Sequence, residues 1–166
     1  MGALKNMTLA LDRALTPAIG CPARTQTASK EQQLNIFVVF TSVDSTLEAL
    51  KEAASLASAR GGKVTLLVPQ VVPYHLPLES PPVLLDFNEK KFSLLASQSP
   101  VETNVLIYLC RDKSRTLASV VQAGSLVILG GRKRAFWPTA DETLSRELSR
   151  AGLEVIFKQT QGERKR

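Results

Sequence analysis

The fold class of this 166-residue chain is decided by the apolar run Ile36-Phe37-Val38-Val39-Phe40-Thr41 and by the helical pattern that follows it. The run is continuous and rich in β-branched and aromatic residues, which is typical of a strand buried on both faces of a sheet. Ser45 and Glu48 then form a capping-box pattern that opens an amphipathic helix, and Gly61 ends it. The stretch therefore predicts one strand, one helix and a turn toward the next strand.

The same alternation continues to the end of the chain. Four more apolar runs are predicted as strands, at 64–68 (ended by Pro69), 102–110, 125–130 and 154–158. Segments with helical spacing separate them, at 84–98, 113–122 and 139–151. Asp112 and Thr139 are the expected N-caps of the last two helices. Strands that alternate with helices predict an α/β domain with a mostly parallel sheet and helices on both faces.

The composition indicates one domain with two short additions. Hydrophobic residues make up 44% and charged residues 22%, which excludes a disordered, collagen-like or coiled-coil chain. No apolar run approaches the roughly 18 residues that a membrane span needs, so no transmembrane helix is expected. Residues 1–33 are predicted as an N-terminal extension, in which Leu4, Met7, Leu11 and Leu15 form a short helix before a polar linker. Residues 34–160 form the α/β domain, and residues 161–166 form a basic tail.

The positive charge lies in the last third of the chain. The formal net charge is +6, and residues 111–166 alone carry twelve basic and six acidic side chains. Part of this excess is the segment Gly130-Gly131-Arg132-Lys133-Arg134, which follows the fourth predicted strand. Two large aromatic residues, Phe136 and Trp137, come directly after it. The remaining cluster is Arg164-Lys165-Arg166 in the tail.

A ligand site is predicted where the loops after the first and fourth strands meet. Ligands of open parallel sheets bind beyond the carboxyl ends of the strands, where the strand order reverses. Thr41 and Ser42 follow the first strand, and residues 130–134 follow the fourth. Two glycines allow close approach of a ligand, and three cations suit a phosphate or a nucleic acid. The structural alternative is that Phe136 and Trp137 pack over the end of the sheet while the cations are solvated.

At these residues the chain resembles the universal stress protein family, over residues 34–159. The resemblance rests on the first strand with Glu48-Ala49-Leu50, on residues 61–68, on residues 126–132 and on the closing strand 155–157. It implies a Rossmann-like fold of the adenine nucleotide alpha hydrolase type, with five parallel strands in the order 3-2-1-4-5. It also implies a homodimer joined through the last strand, Glu154 to Lys158. Many members bind ATP, and an adenine nucleotide placed by this resemblance would contact Thr41, Val68 and Gly130–Arg134.

The departures from the family pattern argue against ATP binding in the usual family manner. Thr41 occupies the place of an Asp, and Ser42 that of a Gly. Lys133 stands where the phosphate loop has its second glycine, and no glycine occurs between Gly131 and Gly152. We therefore expect a non-enzymatic regulatory or interaction module of the stress response, cytoplasmic and homodimeric, with a protein partner and no cofactor. Two alternatives stay open: ATP, AMP or another phosphate ligand at Gly130–Arg134, and nucleic acid at the basic clusters.

Overall fold

A parallel sheet lies at the centre of the protein, between two layers of helices. The structure is a computed structural model, and it describes residues 7–11, 33–134 and 136–160. The strands of the sheet are β1 (Met7–Leu11), β2 (Asn35–Val39), β3 (Lys63–Val71), β4 (Thr103–Cys110), β5 (Leu126–Gly131) and β6 (Glu154–Gln159). The helices are α1 (Val43–Arg60), α2 (Leu85–Ser97), α3 (Lys113–Val120) and α4 (Ala140–Arg150). None of the helices in the described ranges combines the length and apolar character needed to cross a bilayer.

The five predicted strands are confirmed, and so is their order. The sheet runs β1-β4-β3-β2-β5-β6, and every pairing in it is parallel. Without β1, this is the predicted order 3-2-1-4-5. The order reverses between β2 and β5, so the loops after these two strands leave toward opposite faces of the sheet. The carboxyl ends of all the strands share one edge, called here the carboxyl edge.

Residues Met7–Leu11 form an additional strand, β1, so the predicted N-terminal helix is wrong over these residues. This strand pairs with β4 in a register from Met7↔Val105 to Leu11↔Leu109. Residues 7, 9 and 11 are apolar and alternate with smaller residues, so the segment fits a strand period as well as a helical one. The free edge of β4 supplies backbone partners and so selects the strand. Leu4, Leu15, the linker and the basic tail lie outside the described residues.

The two faces of the sheet carry separate apolar cores. On the first face, α1 and α2 pack over strands β2 to β5, and Ile36, Leu50 and Phe92 are among the fully buried residues. On the second face, α3 and α4 bury Leu117 and Leu148 against β2, β3 and β5. The successive residues of each strand therefore divide between the cores, which explains why the strands show no polar alternation.

The helix ends follow the predicted capping residues with one correction. Asp112 caps α3, and Thr139 with Glu142 forms the capping box of α4. Gly61 has φ +68 at the end of α1, a conformation that glycine adopts without strain. The N-cap of α1, however, is Ser42 and not Ser45, because the helix begins at Val43. The Ser42 hydroxyl accepts a hydrogen bond from the Ser45 N–H at 3.4 Å, and Ser45 itself is buried in the first turn.

Strand β3 is also longer than predicted, because it continues through Pro69 to Val71. Pairing of β3 with β2 ends at Val39↔Leu67, and the Phe40 N–H then donates to the Leu67 carbonyl. Groups two residues apart in a strand face the same neighbour, so the Pro69 nitrogen faces the β2 side, beyond the end of that strand. The missing N–H of proline therefore removes no bond from the sheet.

Asn88 on α2 is only 4% exposed, and its amide nitrogen has no hydrogen-bond partner among the described residues. An unsatisfied buried donor costs about 1–3 kcal/mol, and alanine is the better helix former. We expect Asn88→Ala to raise the free energy of unfolding by about 1 kcal/mol in urea denaturation. Phe92→Ala, one turn along the same buried face, should lower it by about 3–5 kcal/mol. A loss of stability in Asn88→Ala would contradict this account.

Candidate functional site

The candidate site is a notch in the carboxyl edge, formed because β2 is shorter than its neighbours. The last pairs of β2 are Val39↔Leu67 and Val39↔Leu129, whereas β3 continues to Val71 and β5 to Gly131. This is the place where sequence analysis put the ligand. The structure brings the predicted residues Thr41, Val68 and Gly130 together around it.

Thr41 lies in this notch with its polar groups already bonded to the chain. Its hydroxyl donates to the Gly130 carbonyl at 2.7 Å, and its N–H donates to the Thr46 hydroxyl at 3.3 Å. The first bond links the loop after β2 directly to the end of β5, across the point where the strand order reverses. The next residue, Ser42, serves as the helix cap. The side chains of the two polar residues predicted to meet a ligand thus make hydrogen bonds within the chain.

The two glycines at the end of β5 also serve internal packing. A Cβ atom on Gly130 would overlap the Ser45 carbonyl oxygen and lie 2.6 Å from its carbonyl carbon. One on Gly131 would lie 2.7 Å from the Phe157 ring and 2.9 Å from the Asp141 Cβ. Both glycines therefore allow a close approach of protein atoms. Gly130 contacts the first turn of α1, and Gly131 contacts β6 and α4.

Val68 lies on the β3 side of the notch, one residue past the last pair between β2 and β3. It pairs with Ile107 of β4, and its side chain is fully buried in the core of the first face. The side chain is therefore packed against protein atoms. Its part in ligand binding stays a prediction, as it does for the other residues of the notch.

The basic part of the segment leaves the notch. Arg132, Lys133 and Arg134 are exposed, and none of them forms an ion pair with another residue in the described part of the chain. Phe136 is 90% exposed and Trp137 is 78% exposed. The structural alternative, in which these two aromatic side chains pack over the end of the sheet, is therefore wrong. Phe157 of β6 occupies that position instead, against Gly131.

The N-terminus of α4, which follows this loop, is satisfied by its own residues. The Thr139 hydroxyl accepts from the Glu142 N–H at 3.3 Å, and a Glu142 carboxylate oxygen accepts from the Thr139 N–H at 3.0 Å. Asp141 lies in the same turn, beside Gly131. Burial raises the pKa of its carboxyl group, and the charge of Lys113 partly offsets this effect. Two acidic side chains therefore occupy the helix end that would otherwise attract an anion.

Arg111 is an organising residue of the carboxyl edge that sequence reasoning missed. It follows β4, and its guanidinium group donates to the carbonyls of Val72, Pro73 and Leu76, at 2.7 Å for Val72 and 2.8 Å for Leu76. It also lies 5.3 Å from the centre of the Tyr74 ring. A planar group with five donors suits three carbonyls of one turn. The proline-rich loop is thus fixed to the end of β4 by a contact between residues about 35–39 positions apart.

Comparison with known proteins supports the fold by structure rather than by sequence. No protein-family model matches the chain, and no curated protein does. The universal stress protein from Archaeoglobus fulgidus aligns with a TM-score of 0.56 at 16% identity, over 75% of this chain and 92% of that protein. UspA from Lactobacillus plantarum aligns at 0.53 and 20% identity, over 76% and 97%. A universal stress protein in complex with cAMP aligns at 0.51 and 13% identity, over 78% and 98%. The chain therefore has the universal stress protein fold.

Gly130 is predicted to be required for steric reasons and not for its backbone conformation. Gly130→Ala should lower the free energy of unfolding by about 3 kcal/mol or more, because the added methyl group overlaps a backbone carbonyl that cannot rotate away. Gly124 is the matched control: it has φ +80 and open space around the Cβ position. Gly124→Ala should cost only about 1 kcal/mol, from backbone strain. Thermal and urea unfolding of both variants would measure the difference, and equal losses would contradict the contact with Ser45.

Proposed function

We propose that this chain is a non-catalytic regulatory or interaction module of the cytoplasm, which does not bind ATP in the usual manner of its fold. The observation that carries the proposal is the contact of Gly130 with the Ser45 carbonyl. Phosphate groups bind to parallel sheets where glycine leaves the backbone accessible at a strand end. Here the first turn of α1 covers the Cβ side of Gly130, so the missing side chain serves the packing of that helix. A phosphate could not approach the glycine from that side.

The charges around the notch support the same proposal. An anion at the N-terminus of α4 would meet the Glu142 carboxylate, which already accepts from the Thr139 N–H. Asp141 stands beside it, next to Gly131. Like charges disfavour binding, and the amide group that the carboxylate occupies is not available to a ligand. A nucleotide would thus lose both the dipole and the backbone donors that usually hold its phosphates.

A non-catalytic role fits the placement of the only histidine in the sequence. His75 lies exposed in the loop that Arg111 fixes, and the described residues provide it with no carboxylate partner. A general base needs a substrate proton within hydrogen-bond reach and a group that orients it. The described residues also contain no group of three or more His, Cys, Asp or Glu side chains placed to hold a metal ion.

The second candidate function is binding of an adenine nucleotide or another phosphate ligand outside the notch. Arg132, Lys133 and Arg134 favour it, because they are exposed and unpaired among the described residues. One protein of the same fold is in complex with cAMP. In this geometry the cations, rather than glycine amides, would hold the phosphate. Such binding would depend on ionic strength and would tolerate many phosphate compounds.

Titration calorimetry with ATP, AMP and cAMP separates the two functions. We expect no saturable heat at millimolar nucleotide for the unmodified protein, because its own residues occupy the positions that phosphate needs. The proposal would be contradicted by saturable ATP binding at micromolar concentration that persists in about 0.5 M NaCl, where exposed charges are screened.

A matched variant identifies the alternative. Arg132→Ser, Lys133→Ser and Arg134→Ser together remove the cations but leave the notch unchanged. Weak heat that disappears in this variant would assign binding to the second candidate. Heat that survives it would place the nucleotide in the notch and overturn the first proposal.

We further propose that the module is a homodimer joined through β6. This strand is at an edge of the sheet, and its outer side has no partner in the described part of the chain. Val155 and Phe157 are half-buried against α4, and Ile156 on the opposite face is 36% exposed. An edge with unpaired backbone groups and apolar side chains is suited to pairing with a second copy about a two-fold axis.

The edge position of Ile156 generates a prediction about assembly. A charged side chain on an edge strand disfavours pairing, so Ile156→Lys should shift the protein from dimer to monomer. Ile156→Thr is the control, because threonine keeps the β-propensity without adding charge. Light scattering after size-exclusion chromatography at micromolar concentration would give the mass of each. A monomeric unmodified protein would contradict the dimer, as would a dimer that Ile156→Lys leaves intact.

A further inference from the structure

The loop between β5 and α4 presents charge and aromatic surface together to solvent. Its residues 132–134 are three exposed cations, and Phe136 and Trp137 are the two aromatic side chains that follow. Their exposed fractions, 90% and 78%, are among the largest of any apolar side chain in the described ranges. Adjacent exposed aromatic residues of this size indicate a contact surface, because water is an unfavourable environment for them.

The loop is held firmly at both ends, so the exposure comes from its position. At one end Gly131 belongs to β5 and accepts a hydrogen bond from the Thr160 N–H at 2.9 Å. At the other end Thr139 caps α4 within the capping box. The cations have no acidic partner among the described residues, and the two rings are not needed in the core, where Phe157 fills the space above Gly131. The described part of the chain therefore offers no internal role for these five side chains.

The exposure of the rings distinguishes a lipid surface from a nucleic acid. Proteins that bind single-stranded nucleic acid stack bases on aromatic side chains along a positively charged groove. Phe136 and Trp137 instead project into solvent, with exposed fractions of 90% and 78%, so protein atoms cover little of either ring. Projecting aromatic side chains beside cations suit the membrane interface, where rings enter the boundary between headgroups and acyl chains and cations contact phosphates.

Other apolar side chains lie at the same end of the molecule. Ten large hydrophobic side chains are exposed in the described part of the chain, and eight of these belong to loops or element ends at the carboxyl edge. The eight are Val43, Val71, Tyr74, Val83, Leu84, Phe87, Phe136 and Trp137. The exposed acidic residues Glu79 and Asp86 accompany those near the proline-rich loop, whereas Asp141 and Glu142, which follow the β5–α4 loop, are half-buried in the first turn of α4. Contact with negatively charged headgroups is therefore assigned to the β5–α4 loop alone.

We propose that the β5–α4 loop docks this protein onto a membrane surface that contains anionic lipids. Phe136 and Trp137 enter the interface, and Arg132, Lys133 and Arg134 contact the lipid phosphates. The sheet then stands with its carboxyl edge toward the membrane. The proposal is independent of whether the notch binds a nucleotide.

The sequence contains a single tryptophan, so its fluorescence reports on this loop without labelling. We expect the emission of the full chain to shift to the blue when vesicles of phosphatidylcholine and phosphatidylserine are added, and not with phosphatidylcholine alone. Arg132→Gln, Lys133→Gln and Arg134→Gln together should weaken binding about a hundredfold, since each cation near an anionic surface contributes about fivefold. In vesicle flotation, Phe136→Ser with Trp137→Ser should weaken it at least about tenfold.

A charge-matched control lies at the opposite edge of the sheet. Arg60, Lys63 and Arg150 are exposed at the end of α1, the start of β3 and the end of α4. Their joint replacement by Gln removes the same charge, and it should leave at least about a third of the affinity, since long-range attraction is screened. Three results would overturn the proposal: no blue shift at millimolar lipid, equal binding to neutral vesicles, or equal loss in the control. Quenching by oligo(dT) or RNA without vesicle binding would overturn it in favour of nucleic acid.

Discussion

The carboxyl edge depends on the contact between Gly130 and the carbonyl group of Ser45. Because residue 130 has no side chain, the first turn of α1 lies directly on the end of β5. That position lets the Thr41 hydroxyl reach the Gly130 carbonyl, and it brings the Ser45 hydroxyl within 3.1 Å of the Thr160 hydroxyl beyond β6. The ends of β2, β5 and β6 and the first turn of α1 are thus joined where the strand order reverses. This contact therefore helps to position the loops that follow β2 and β5.

The edge consequently has two different parts. Around the notch, polar groups bond to each other, and the N-terminus of α4 is closed by the capping box of Thr139 and Glu142. Beyond it, the proline-rich loop is fixed by Arg111, and the β5–α4 loop extends cations and aromatic rings into solvent. The chain has the universal stress protein fold, and the side chains of Thr41, Ser42 and Glu142 around the notch are hydrogen-bonded within the chain. Exposed cations and aromatic rings lie in the β5–α4 loop.

Local patterns were sufficient to predict five strands, four helices and the caps at Asp112 and Thr139, because each depends on residues within one turn or one strand. They failed where contact with a residue distant in sequence determines the structure. The pattern of Met7–Leu11 fits both a helix and a strand, and pairing with β4 selects the strand. The glycines at 130 and 131 indicate a close approach but not its partner, which turned out to be protein. Arg111 carries no local signal, since the carbonyls it binds belong to another loop. The choice of Ser42 over Ser45 as the cap rests on a helix start that packing selects.

Pro69 has a consequence for how the chain could change. In β3, the Pro69 nitrogen faces the space beyond the end of β2, and it cannot donate a hydrogen bond there. A longer β2 could not continue the ladder at that position, so extra residues inserted after Val39 would accumulate in the loop before α1 instead of extending the sheet. The notch is thereby protected from closure by strand growth. A proline inside a central strand acts here as a length stop for its neighbour.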